Sequence, residues 1–403
     1  MIDLQRIIEA KKRIEEVVVN TPFSYAPRLS EHSGCEIYLK KENLQVTGAF
    51  KIRGAYNKIA SLTDEQRACG VIAASAGNHA QGVAMAAQMF GINALIVMPE
   101  STPLTKINGV RYYGADVILS GSNYDEAYAY ACSYGKERGM VFVHPFADEA
   151  VMAGQGTIAL EMLEAIPDLD AVVIPVGGGG LISGVASCIK QLNPAIEVIG
   201  VSAVGAPAMK ESFEAKKAID SLSVRTIADG IAVRDTSPIT LEHILSSVDS
   251  MASVDDEEIA NAILFLLERQ KLVVEGAGAA GVAAMLHHRL PHLKGKKVGV
   301  ILSGGNMDVT LLSIIIEKGL KKSGRKMELT VTLIDKPGAL MNLTNLFQEL
   351  NANIVHIEYD RTATSLAYGD ANVRIHLETK GEEHQTQIRQ TLHQHRYPLS
   401  EAE

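Results

Sequence analysis

The sequence predicts an α/β protein built on parallel sheets with helices on both faces. Three observations carry this. From residue 70 onward, short apolar runs alternate with helical patterns, the order that builds crossover units and a parallel sheet. Those runs are nearly continuously apolar, as strands covered on both faces are. Three Gly- and Ser-rich motifs, at 75–78, 177–180 and 303–306, each follow such a run directly. In open α/β sheets, ligands bind beyond the carboxyl ends of the strands, where these motifs fall.

The elements follow in order. Residues 3–18 place Leu4, Ile7, Ile8 and Ile14 near one helical face, and Thr21-Pro22 breaks the helix. A short strand is predicted over 36–40, then a polar run at 42–48 and a helical segment over 54–60. Residues 71–75 predict a strand and 78–90 an Ala-rich helix that Gly91 can stop. Strand 94–98, helix 102–113, strand 117–119, helix 124–136 and strand 141–143 continue the alternation. Helix 151–166, strand 171–176, helix 181–190 and strand 197–201 repeat it. Residues 205–245 read only as helical patches and loops. Residues 255–270 predict one helix, its acidic first turn favoured by the helix dipole. A small-residue helix over 276–288, a strand over 298–302 and a helix over 309–322 complete this part.

The texture then changes. The basic stretch 319–326 carries two glycines and reads as a helix end running into a linker. Beyond it Leu329, Val331 and Leu333 alternate as in a half-buried strand, and Asp335-Lys336-Pro337-Gly338 is a turn. Leu340, Leu343, Phe347 and Leu350 follow a helical period. Two further alternating runs, at 355–359 and 373–377, precede a helix marked by Ile388 and Leu392. A last strand is expected within 396–403, where the sequence is short and polar.

Composition excludes several function classes. The net charge of −9 and the lack of a basic patch rich in aromatics argue against nucleic acid as a partner. Cys35, Cys69, Cys132 and Cys188 are widely spaced, which fits neither a zinc site nor a disulfide scaffold, so a reduced, cytoplasmic protein is expected. The first residues are charged, without a signal-peptide pattern, and no apolar run approaches membrane-spanning length. The paired histidines, His287-His288 and His393-Gln394-His395, have local spacing and support no metal site.

The chemistry centres on Lys51, in Ala49-Phe50-Lys51-Ile52-Arg53-Gly54-Ala55. Such a lysine is either a solvated surface residue or a nucleophile. Arg53 beside it, or burial, would lower its pKa and free its amine to attack a carbonyl. Gly177, Gly178, Gly179 and Gly180 lie between a buried strand and a helix. They make either a tight turn or a cradle in which backbone N–H groups and a helix N-terminus meet a phosphate. No Lys-Ser or Lys-Thr follows, which excludes a P-loop, and the third glycine of a dinucleotide fingerprint is Ser183. Ser75 and Asn78 suit plain N-capping as well as anion binding.

Taken in order, AFKIRGA around Lys51, Ser75-Ala76-Gly77-Asn78-His79-Ala80-Gln81-Gly82, the tetraglycine with Leu181, and Ser303-Gly304-Gly305-Asn306 resemble a threonine ammonia-lyase. This is a pyridoxal 5'-phosphate enzyme of the tryptophan-synthase-β fold type (fold type II). The resemblance covers roughly residues 1–321, read as one catalytic region of two α/β subdomains, the smaller roughly 50–150. The segment 322–327 is the linker, and 328–403 resembles an ACT domain, a ferredoxin-like amino-acid sensor.

The resemblance implies roles. Lys51 carries the cofactor and moves the substrate α-proton. Gly177, Gly178, Gly179, Gly180 and Leu181 hold the phosphate. Asn78 bonds the ring hydroxyl, Ser303 faces the ring nitrogen and Phe50 covers one ring face. Glu275 either lies near the ring or is a surface carboxylate. Ser75, with Ala76, Gly77, Asn78 and His79, receives the substrate carboxylate, and Ser75 is a catalytic candidate. A homo-oligomer, dimer or tetramer, with isoleucine or valine as effector is implied. The rivals are a serine racemase or serine dehydratase and, from another class, a non-catalytic amino-acid sensor.

Overall fold

The computed structural model describes residues 1–364 and 366–400. The strands are β1 (Phe23–Tyr25), β2 (Glu36–Lys40), β3 (Val71–Ala74), β4 (Ala94–Met98), β5 (Asp116–Leu119), β6 (Val141–Phe142) and β7 (Ala171–Pro175). They continue with β8 (Glu197–Ala203), β9 (Ser250–Val254), β10 (Lys297–Ile301), β11 (Lys326–Ile334), β12 (Asn353–Asp360), β13 (Asp370–Glu378) and β14 (Leu399–Ser400). The chain divides into two compact units, Met1–Asp308 and Val309–Glu403.

The first unit holds two sheets. One has the order β1-β2-β10-β7-β8-β9, the other β5-β4-β3-β6. Every pairing in them is parallel except β1 with β2. The central strands β3, β4 and β7 are buried throughout, which is why their sequences are continuous apolar runs. The helix Asn78–Phe90 ends where expected, at Gly91, whose φ of 63° suits a residue without Cβ. The helix Leu4–Ile14 starts at Asp3, whose carboxylate accepts from Gln5 N–H, and ends in Lys11, Lys12 and Arg13.

The departures are at edges and joints. β1 and β9 were not legible as strands. Both are edge strands, and β9 is only half-buried over four of its five residues, so neither has an apolar run. Residues 205–245 hold the helix Ala208–Ala215, a 3-10 turn at Asp229–Ile231 and most of the helix Pro238–Ser247. The single helix expected over 255–270 is an α-helix, Asp256–Phe265, followed by a π-turn, Leu266–Gln270, that ends at Lys271 with φ 58°.

In the second unit β11, β12, β13 and β14 alternate with the helices Ala339–Glu349 and Glu382–Gln394, and the sheet order is β12-β13-β11-β14. All pairings are antiparallel. This is the ferredoxin-like βαββαβ arrangement. Alternate residues of β11 and β13 are buried against Leu343, Phe347, Ile388 and Leu392 of its helices. The helix Val309–Lys322 belongs to this unit, and β11 already begins at Lys326 within the segment read as a linker. The last strand is only Leu399–Ser400, and the end of the expected 396–403 segment lies outside the described residues. Among the described residues no helix is long and apolar enough to cross a membrane.

Candidate active site

Three loop segments are zipped together beside Lys51. Phe50 donates its N–H to Ser303 O at 3.1 Å, Gly305 donates to Gly48 O at 2.8 Å, and Glu275 donates to Gly304 O at 3.0 Å. Ala49 and Gly304 form an antiparallel bridge. Ser303 therefore lies one residue beyond the apolar run ending β10, tied to the residue before Lys51. The helix Lys51–Ala60 begins at Lys51 itself and packs closely on the helix Asn78–Phe90. A Cβ on Gly82 would stand 3.2 Å from the Lys51 carbonyl carbon. This brings Lys51, Asn78, Glu275 and Ser303 together from four places in the chain.

The Lys51 ammonium donates to Pro145 O at 2.9 Å and sits 5.2 Å from the centroid of the Phe50 ring. Burial pulls its pKa down to about 8, against the opposing charge of Glu275. At pH 7 about one molecule in ten then carries the neutral amine, against roughly one in three thousand for a lysine at its usual pKa. Arg53 is not the cause. It turns into a buried ion cluster with Glu42 and Glu161 on the other side of the helix, which corrects the role expected for it.

Two imidazoles feel the Lys51 charge and are held well below their ordinary pKa. His79 is lowered to about 3 by burial and then by the Lys51 charge; His144 is lowered to about 4 by the same two causes. His79 Nε2 lies 2.8 Å from Val143 O, an acceptor only, so the ring is committed to the interior. The His79 N–H lies in the first turn of the helix, without an intrahelical partner. Ser75 Oγ accepts from Gly77 N–H at 3.2 Å, shaping the turn between β3 and that helix. Ala76, Gly77 and Asn78 are half-buried around it, and no side chain caps the helix start at Gly77.

Asn78 donates from Nδ2 to both Glu275 oxygens, at 2.8 and 3.1 Å, and accepts at Oδ1 from Asn306 Nδ2 at 2.7 Å. Glu275 is 4% exposed, so it is not a surface carboxylate; burial raises its pKa to about 7 despite the Asn78 hydrogen bond. Ser303 is buried at 2%.

The glycine loop suits an anion. It follows β7 and ends at Gly179, which has φ 88° and opens the helix Gly180–Leu192 with no side-chain cap, leaving the first-turn N–H groups without an intrahelical partner. The loop's packing requires glycine. A Cβ on Gly177 would meet the Ile231 backbone at 2.7 Å and one on Gly178 the Phe146 ring at 2.4 Å. Phe50 and Leu181 are both buried and belong to the core cluster under this loop. Pro145, Phe146 and His144 carried no signal in the sequence, because their place depends on which loop lies over Lys51. Asn306 was visible as the end of a motif, without a role.

A pH dependence follows from the Lys51 value. Only the neutral amine attacks a carbonyl, so capture of pyridoxal phosphate by the cofactor-free protein should accelerate about tenfold per pH unit up to about pH 8, then level off. Stopped-flow absorbance checks this; a flat profile from pH 6 to 8 would contradict the lowered pKa.

A model of the family described as "Pyridoxal-phosphate dependent enzyme" matches residues 14–304. An L-threonine ammonia-lyase from Thermotoga maritima is 52% identical over 392 residues, covering 97% of each chain. The processed form of threonine deaminase isoform 2 from Solanum lycopersicum superposes with a TM-score of 0.75 at 38% identity, over 78% of this chain and 92% of that one. Maize serine racemase gives a TM-score of 0.75 at 37% identity, over 79% and 98%. By the extent of the family match and the identity to its full-length relative, the chain belongs to the pyridoxal-phosphate-dependent enzymes.

Proposed function

We propose that the protein deaminates L-threonine to 2-oxobutanoate and ammonia, and L-serine to pyruvate, using pyridoxal 5'-phosphate. The observation that carries this is the Lys51 amine, half-buried and lowered to about 8 beside the uncapped glycine loop. When bound, the cofactor supplies an electrophilic carbonyl and a ring that withdraws electrons from the substrate α-carbon. The rest belongs to the chain. Gly177, Gly178, Gly179, Gly180 and Leu181 would hold the phosphate by backbone N–H groups at the uncapped helix start. Asn78 would bond the ring hydroxyl and Phe50 would pack on the ring, with Glu275 holding the Asn78 amide. Ser303 offers the ring nitrogen a neutral hydroxyl. A carboxylate there would keep that nitrogen protonated; a hydroxyl does not, which favours elimination over transamination. Ser75 and the N–H groups of Ala76, Gly77, Asn78 and His79 receive the substrate carboxylate at a helix start. Lys51 would hold the cofactor and move the substrate α-proton. The relatives named for threonine support the substrate.

The test is oxo-acid formation from L-threonine, L-serine and D-serine. L-Threonine should be turned over fastest and L-serine more slowly. Racemisation should be minor, because Ala76, beside Ser75, has no proton to donate from the opposite face. Rapid solvent-deuterium exchange with inversion of L-serine would instead establish a racemase.

Residues 328–403 we propose as an ACT-like regulatory module for isoleucine or valine, bound near the Asp335–Gly338 turn. There Gly338, at φ 86°, has open space where a Cβ would stand. Control requires different effector affinity in two assembly states of a dimer or tetramer. Truncation after Lys322 should leave threonine turnover and remove the response to branched-chain amino acids. If the full-length protein shows no response in rate or binding, the module serves only to dimerise. The four free cysteines support a reducing, cytoplasmic setting.

A further inference from the structure

Asparagine amides have two orientations that differ only in which atom is nitrogen, and the hydrogen-bond partners decide between them. Around the site one chain of contacts leaves no choice. Thr47 O is a carbonyl and can only accept. The Asn306 atom 2.8 Å from it must therefore be Nδ2. That same nitrogen lies 2.7 Å from Asn78, so the Asn78 atom facing it must be Oδ1. The Asn78 nitrogen is then turned towards Glu275, at 2.8 and 3.1 Å. Asn306 has spent both of its protons, one on Thr47 O and one on Asn78 Oδ1. The backbone makes room for this. Gly48 has φ 71°, and a Cβ there would stand 2.4 Å from Asn306 Oδ1. Gly305 N–H, bonded to Gly48 O, fixes the two loops against each other.

We propose that Asn306 is a positioning residue: it fixes the Asn78 amide with Oδ1 occupied and NH2 on the Glu275 side, where one N–H serves the two carboxylate oxygens and the other is the only group Asn78 can offer the cofactor. This rests on the proposed bond from Asn78 to the ring hydroxyl. An unlocked Asn78 could rotate and present its carbonyl to that oxygen, and could then bond it only in its protonated, donating form. Asn306 itself touches neither cofactor nor substrate in this role. It is exposed, whereas Asn78 is half-buried, so its removal opens no cavity in the core.

The experiment measures pyridoxal phosphate affinity by equilibrium dialysis for the wild type, Asn306→Ala, Asn78→Ala and the double variant, with thermal melting of each cofactor-free protein. Asn306→Ser, whose hydroxyl reaches one partner at most, is the second variant should the alanine form fold poorly. The expected result is affinity weakened roughly tenfold in Asn306→Ala, about the worth of one hydrogen bond, with the cofactor-free melt unchanged. In the Asn78→Ala background the same change should cost nothing further, because a residue acting through Asn78 is silent once Asn78 is gone. The visible absorbance of the bound cofactor should also shift in Asn306→Ala. Equal losses in both backgrounds would overturn the inference, as would no loss where Asn78→Ala does weaken binding. Unchanged affinity in Asn78→Ala would overturn the reading of Asn78 and the inference with it.

Discussion

Lys51→Ala should abolish threonine turnover, by at least about 10³-fold, since one side chain is assigned both the covalent attachment and the proton transfer. The variant should still take up some pyridoxal phosphate, because the backbone N–H groups of the glycine loop and the Asn78 amide are untouched. Borohydride reduction of the loaded wild type should fix the cofactor to Lys51, read by peptide mass mapping. Labelling at any other lysine would refute the assignment. The structure adds a reason why Lys40 does not substitute. Lys40, which is fully buried, is held by Glu161 and by Thr21 O at 2.7 Å.

The second large effect is on stability. Arg53 is fully buried and makes a forked contact with each of two carboxylates. Nε and Nη2 bond Glu42 at 2.8 Å each, and Nη1 and Nη2 bond Glu161 at 2.6 and 2.9 Å. Nη1 also donates to Thr157 at 3.2 Å. Lys40 pairs with Glu161, so two cations balance two anions. Although burial alone would raise the Glu42 carboxyl, Arg53 holds it below its ordinary value. Arg53→Met leaves two buried carboxylates to one lysine and should cost about 3–5 kcal/mol. Arg53→Lys should not rescue it, because an ammonium cannot form the two planar forks. Urea denaturation of the cofactor-free protein checks both; a midpoint unchanged in Arg53→Met would show that the cluster contributes nothing. The short motif around Lys51 thus divides its work by helical phase. Residue 51 faces the site, and residue 53, two positions on, faces the buried ion cluster that anchors the same helix.

The sequence by itself determined the elements that frame the site. β3, β4 and β7 were legible because strands covered on both faces are apolar without interruption. The helix Asn78–Phe90 was legible because Gly91 punctuates it. The four motifs were legible as local strings, and their order pointed to the family. What only the tertiary structure decided are properties that depend on distant partners. The edge strands β1 and β9 exist because a neighbour offers them hydrogen bonds, not because their residues demand it. Glu275 reads as any loop carboxylate until Asn78 and Gly304 close around it. Lys51 gains its lowered pKa from burial, and Arg53, its neighbour in sequence, takes no part because a helix turns two residues apart in different directions. Periodicity and punctuation are local and survive in a string of letters. Desolvation and charge pairing are sums over everything within a few ångströms, which the fold alone assembles.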